Sequence, residues 1–183
     1  MNNDCFDIDS DLIERCRNGE PKAQFMLFRK YAKAMYNIAI RFTNNRMDAE
    51  DILQESFITA FEKLPELVNT ISFPGWLKRI VINRCIDHAR RNKQIFDDLD
   101  DKLANETVEE NEPDFTIDPA IVHDLIRKLP EGGRTVLVLH ILEGYKHREI
   151  AEMLGITEST SKTQYSRALK LLNKTIKQKI YVS

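Results

Sequence analysis

Glu149-Ile150-Ala151-Glu152-Met153-Leu154-Gly155-Ile156-Thr157 is the stretch that decides the architecture of this chain. Ile150, Ala151 and Leu154 supply apolar anchors, a small residue stands where two helices would cross, and Gly155 sits where the turn needs permissive backbone. The pattern is that of a helix-turn-helix. A long helix should follow, from about Glu158 to Gln178. Between Thr157 and Lys179 there are six basic residues (Lys162, Arg167, Lys170, Lys174, Lys177, Lys179) against Glu158, a net +5 on one element. A cationic second helix suits a nucleic-acid groove, with its first turns against base edges and its later cations on phosphate. Ser159, Lys162, Thr163 and Gln164 are therefore the candidates for base edges, where Lys or Gln can read purines. Arg167 and Lys170 are the candidates for backbone contact, and the last three lysines complement the helix dipole.

Working upstream, Glu143-Gly144 closes the preceding helix, Pro130 separates that one from another, and Asp118-Pro119 reads as a cap followed by proline in a first helical turn. Before it the composition changes sharply. Residues 95–118 hold ten acidic residues against Lys102, a net −9 in a chain of −2 overall, so the remainder carries +7. Such a run, poor in aromatic and branched apolar side chains, buries too little to offset its ordering entropy and is expected to be a flexible linker. The near-neutral total charge thus hides two cationic parts joined by an anionic tether.

The N-terminal part has the same helical punctuation. Ser10 is positioned to cap a short first helix that Asn18-Gly19 ends, and Pro21 opens a second. There Phe28, Tyr31, Met35, Ile38 and Phe42 recur at helical spacing and mark a core face. Asn44-Asn45 ends that run, a third helix spans about Asp48 to just before Pro65, and a fourth runs from near Pro74 to about Lys93. No strand pattern of useful length occurs. The expected fold is all-α: two small helical domains, residues 1–94 and 119–183, joined by the linker, with the helix-turn-helix in the second.

Two helices in the first domain have an outer face worth naming. At about 100° per residue, Leu53, Phe57, Ala60, Phe61 and Leu64 share one side of the third helix, and Asp48, Asp51, Glu55, Ile58 and Glu62 the other. That acidic side is either a solvated face or a partner surface, and the apolar Ile58 among carboxylates suits a partner. On the fourth helix Leu77, Val81, Ile82, Cys85, Ile86 and Ala89 turn inward. Trp76, Ile80, Asn83, Arg84, Asp87, Arg90 and Arg91 fall outside, joining an aromatic and an amide to several cations. Cations neutralise phosphates and an aromatic can stack on an unpaired base; the alternative puts Trp76 in the core and makes Asp87 a salt-bridge partner.

With these motifs in order, the chain resembles the extracytoplasmic-function type of sigma factor from about Leu12 to Lys174. The run from Asp48 to Phe57 resembles the family's polymerase-binding helix, and that from Phe73 to Arg91 its minus-ten promoter segment. Glu149-Ile150-Ala151 with Leu154-Gly155-Ile156, Lys162 and Arg167-Ala168 is similar to its minus-thirty-five reader. The resemblance implies that Asp48, Asp51, Gln54, Glu55 and Ile58 bind core RNA polymerase, while the outer face of the fourth helix meets melted promoter DNA. It implies further that residues 66–72 help hold a flipped-out base, and that an anti-sigma protein sequesters the factor. Where the family favours Val, Arg and Gly, this chain has Ser161, Gln164 and Ser159.

Other function classes find less in the residues. His88, His123, His140 and His147 make no metal-ligand spacing with Cys, Asp or Glu, no glycine-rich phosphate loop occurs, and no cofactor or catalytic group is expected. Cys5, Cys16 and Cys85 are far apart and read as reduced thiols, Cys85 buried. The first ten residues carry Asp4, Asp7 and Asp9 with no basic run, and no apolar stretch approaches the roughly 18 residues of a membrane span, so a cytoplasmic chain without membrane insertion is expected. The rival to an initiation factor is a helix-turn-helix regulator with an N-terminal sensor or dimerisation domain. It accounts for the basic helix, but not for a second cationic-aromatic helix beside an acidic one.

Overall fold

A computed structural model describes residues 4–67, 72–91 and 124–181, and every described element is helical. The chain divides into two compact units, Met1–Cys85 and Ile86–Ser183. The linker at 95–118, the Asp118-Pro119 cap and His123 lie outside the described residues, as do four positions of the loop between Glu66 and Ser72.

In the first unit α1 (Asp4–Arg17) packs on α2 (Pro21–Thr43), and α2 on α3 (Arg46–Lys63). Helix α1 begins earlier than the sequence suggests, so Ser10 lies inside it instead of capping it. The turn at Gly19 has φ +73, a left-handed backbone that glycine adopts without strain. Asn44 takes the same role at the end of α2, with φ 51 and its N–H donating to the Ile40 carbonyl at 3.0 Å. Asn45 then caps α3, its side-chain oxygen accepting from the Met47 N–H at 2.9 Å. Two adjacent asparagines thus end one helix and start the next.

A 3-10 turn (Leu64–Glu66) closes α3, and α4 spans Phe73–Arg91. The core of this unit is apolar and tight: Ile13, Leu27, Leu64, Phe73, Leu77 and Val81 are all fully buried. Phe28 meets Phe57 edge-on at 4.8 Å, Phe57 meets Phe61 at 5.9 Å, and Tyr31 lies 5.4 Å from Phe73. Such tilted aromatic pairs bring quadrupole attraction to the burial itself. Arg17 ties α1 to the end of α3 by donating to the carbonyls of Leu64 and Leu67.

In the second unit a helical stretch at 124–127 precedes α5 (Glu131–Leu137), which continues as a π-helical turn (Val138–Leu142). Next come α6 (His147–Leu154) and α7 (Glu158–Tyr181). Glu149 accepts from the Lys146 N–H at 2.7 Å at the start of α6. Gly155, with φ 68, gives the left-handed turn that the sequence calls for between α6 and α7. Thr157 opens α7 by accepting from the Thr160 N–H at 3.0 Å. Arg134, only 5% exposed, donates to the Leu129 carbonyl at 2.8 Å, and burial pulls its guanidinium below the usual range against the opposing pull of Glu131.

Helix α7 approaches α5 closely at Gly133. A Cβ placed there would stand 3.3 Å from the Ala168 Cβ and 3.4 Å from the Gln164 carbonyl oxygen. The missing side chain of Gly133 is what lets the two backbones meet.

Candidate nucleic-acid interface

The inner and outer faces of α3 separate as its sequence periodicity requires. Leu53, Phe57, Ala60 and Leu64 are buried, and Phe61 half-buried. Asp51, Gln54 and Glu55 are exposed, Asp48 is half-buried, and Ile58 remains 58% exposed among them. An isoleucine 58% exposed among these four polar side chains forgoes part of the roughly 1.5–3 kcal/mol that full burial brings, an energy that a docking partner can recover.

Every inward residue expected on α4 is buried: Leu77, Val81, Ile82, Cys85, Ile86 and Ala89. Asn83, Asp87, Arg90 and Arg91 are exposed, while Trp76, Ile80 and Arg84 are half-buried. Trp76 lies 5.9 Å from Phe73, so the core braces one part of the ring and solvent meets the rest. Trp76 is thus half-buried, neither wholly in the core nor wholly outside it. Arg84 does not point straight outward. It donates to Thr59 Oγ1 at 2.8 Å and lies 3.5 Å from a Glu55 oxygen, joining α4 to α3. Asp87 sits 3.8 Å from Arg90 one turn later, the salt-bridge role weighed for it.

On α7, Ser159, Lys162 and Lys170 are exposed, and Thr163 and Arg167 half-buried. Lys162 pairs with Glu158 at 2.7 Å, and that bond, with the lysine's charge, holds the Glu158 carboxyl below its ordinary range. Gln164 corrects the sequence reading. It is only 3% exposed and packs toward Gly133, so it faces α5 and cannot reach a base edge. Ser161, at 0% exposure, is buried beside it. Ser161, Gln164, Ala168 and Leu172 recur at helical spacing and form the inner stripe of α7. That spacing was available in the sequence, but two polar residues in the stripe disguised it.

The histidines hold what sequence reasoning missed. His140 and His147 stack with ring centroids 4.3 Å apart, and Tyr165 stands edge-on to both. The seven-residue interval across Gly144 gives the only hint of this in sequence. Among the described residues, no group of three or more His, Cys, Asp or Glu is arranged to hold a metal ion.

Comparison with known proteins follows the same division. Residues 27–95 match the family model described as Sigma-70 region 2, and residues 120–172 match that for Sigma-70, region 4. The RNA polymerase sigma factor SigV of Bacillus subtilis is 31% identical over 75% of this chain and 81% of its own length. The chain belongs to the sigma-70 family. Within it, this sigma factor is of the extracytoplasmic-function type, a DNA-binding protein of transcription initiation. It is 29% identical to the RNA polymerase sigma-H factor of Pseudomonas aeruginosa, over 92% of this chain and 93% of that one. The same identity holds against the ECF RNA polymerase sigma-E factor of Haemophilus influenzae, over 92% and 95%. No helix among the described residues is long and apolar enough to cross a membrane.

Proposed function

We propose that three outer faces of this sigma factor divide the work of promoter recognition. Asp48, Asp51, Gln54, Glu55 and Ile58 on α3 bind core RNA polymerase. Trp76, Ile80, Asn83, Asp87, Arg90 and Arg91 on α4 meet melted minus-ten DNA, with Arg84 holding the two helices together between those surfaces. Ser159, Lys162 and Thr163 on α7 read the minus-thirty-five duplex, while Arg167 and Lys170 take its phosphates. An anti-sigma protein is the further partner that the family resemblance implies.

One observation carries this reading: α3 and α4 bury the apolar side chains expected inside, Phe61 in part and the others fully, yet leave Ile58 and a half-exposed Trp76 outward among charged residues. Apolar and aromatic surface exposed beside charge suits a partner that desolvates it. The test is assembly with core polymerase. Changing Asp51 and Glu55 together to Lys should abolish assembly while circular dichroism stays unchanged, and undiminished affinity would reject the role given to α3.

A further inference from the structure

The second unit contains a polar cluster that none of these surfaces uses. His140 lies in the π-helical turn and His147 in the first turn of α6, and their rings stack at 4.3 Å with 21° between the planes. Tyr165 of α7 meets His140 at 4.8 Å and His147 at 5.3 Å, edge-on to each. Nδ1 of His147 shares a hydrogen bond of 2.9 Å with Oγ of the fully buried Ser161. Nδ1 of His140 is 2.8 Å from the Tyr145 carbonyl oxygen. Since a carbonyl only accepts, that nitrogen carries a proton, and the neutral ring of His140 keeps a bare Nε2.

The cluster therefore joins the π-helical turn, the loop before α6, α6 itself and the buried face of α7. Ser161 is one residue before Lys162 and two before Thr163, so whatever seats Ser161 also aims the side chains given to the base edges. We infer that His147 is a positioning residue for the recognition helix, its stack on His140 and its bond to Ser161 seating the first turns of α7 on α6. This inference rests on the reading of α7 as the minus-thirty-five reader.

A seat built from two stacked imidazoles responds to acid. The charged and titratable groups on the elements that meet here include Glu158, Lys162, Tyr165, Arg167, Lys170 and Lys174 on α7, Arg148, Glu149 and Glu152 on α6, and Glu143, Tyr145 and Lys146 in the preceding loop. Glu158 is paired with Lys162 at 2.7 Å, and its carboxyl is held low by that lysine first and by His147 and Arg148 to a lesser degree. One cation on the stack thus has a carboxylate to face. Two cations at this ring separation repel, so a second proton works against the stack and the seating of Ser161.

The test uses the full chain and its polymerase holoenzyme. The DNA probe is a duplex selected by wild-type holoenzyme from a random-sequence library at about pH 7.5. From there to about pH 5.5, through the histidine range, wild-type affinity should fall roughly threefold or more beyond the change in His140→Phe and in His147→Phe. Superimposable pH profiles for the three proteins would overturn the seat. Lys162→Ala, measured on the same duplex at about pH 7.5, separates the two levels. Wild-type affinity in that variant rejects the reading of α7 and the seat with it, whereas a loss there with superimposable profiles rejects the seat alone.

Discussion

Arg84 on α4 lies 3.5 Å from the Glu55 carboxylate on α3 and donates to Thr59 Oγ1 at 2.8 Å. Its side chain bridges the surface assigned to polymerase and the surface assigned to melted DNA. With Arg84 35% and Glu55 54% exposed, the ion pair is screened, and its removal should change stability by no more than about 1 kcal/mol. Glu55→Lys alone should therefore unfold close to wild type in urea while losing affinity for core polymerase. A large drop in the urea midpoint with unchanged polymerase affinity would make Glu55 structural.

Lys162 and Gln164 should part company. Lys162→Ala should cost about 1–3 kcal/mol of binding at the minus-thirty-five duplex and relax base preference at one position. Gln164→Ala removes a buried side chain beside Gly133, so it should lower folding stability by about 1–3 kcal/mol while leaving base preference alone. Arg167→Ala should weaken all sequences alike. Urea unfolding and selection from a random-sequence library measure the two effects separately, and an altered base preference in the Gln164 variant would contradict its burial.

At Gly133 two effects compete. Alanine favours a helix interior by about 1 kcal/mol over glycine, but overpacking costs about 1–3 kcal/mol. The new Cβ would meet the Ala168 Cβ at 3.3 Å and the Gln164 carbonyl at 3.4 Å, a short branch and a backbone atom with little room to yield. Gly133→Ala should therefore be destabilising overall. A raised melting temperature would show that α5 and α7 can separate without loss.

Burial pushes the Cys16 thiol up to about 11, with Arg15 pulling the other way and Glu20 adding to the rise. A folded-state value above the unfolded one means that the thiol's stabilising contribution is complete below the unfolded pKa. It is lost as pH rises from the ordinary thiol range to about 11. Stability should thus fall across that alkaline window, and alkylation of Cys16 should be slow until the domain opens. Rapid labelling at Cys16 in the native protein, located by peptide mapping, would contradict the burial.

The positions of the helices follow from signals that act locally. Pro21, Asn44-Asn45, Pro130 and Gly155 each constrain the backbone where they stand, and all mark element ends in the folded chain. The inner faces of α3 and α4 were legible because apolar residues at helical spacing have nowhere else to go. Ser10 misled because helix α1 extends upstream of a residue that would cap it well. Gln164 misled for a different reason: a polar side chain in a basic helix reads as exposed, and only its distance to Gly133 across the fold shows it buried. The pairing of His140 with His147 likewise depends on how the π-helical turn meets α6, a tertiary relation at which the sequence hints only through the seven-residue interval across Gly144.

The most direct test of the division of labour among α3, α4 and α7 is start-site mapping. Core RNA polymerase is reconstituted with this sigma factor, genomic fragments are transcribed, and the 5′ ends of the transcripts are sequenced. The wild type should initiate at defined sites that share two upstream sequence elements. Asp51→Lys with Glu55→Lys should yield no specific starts, and Lys162→Ala should change only the element farther upstream. Starts no different from those of core polymerase alone, or a Lys162 variant that alters the nearer element instead, would contradict it.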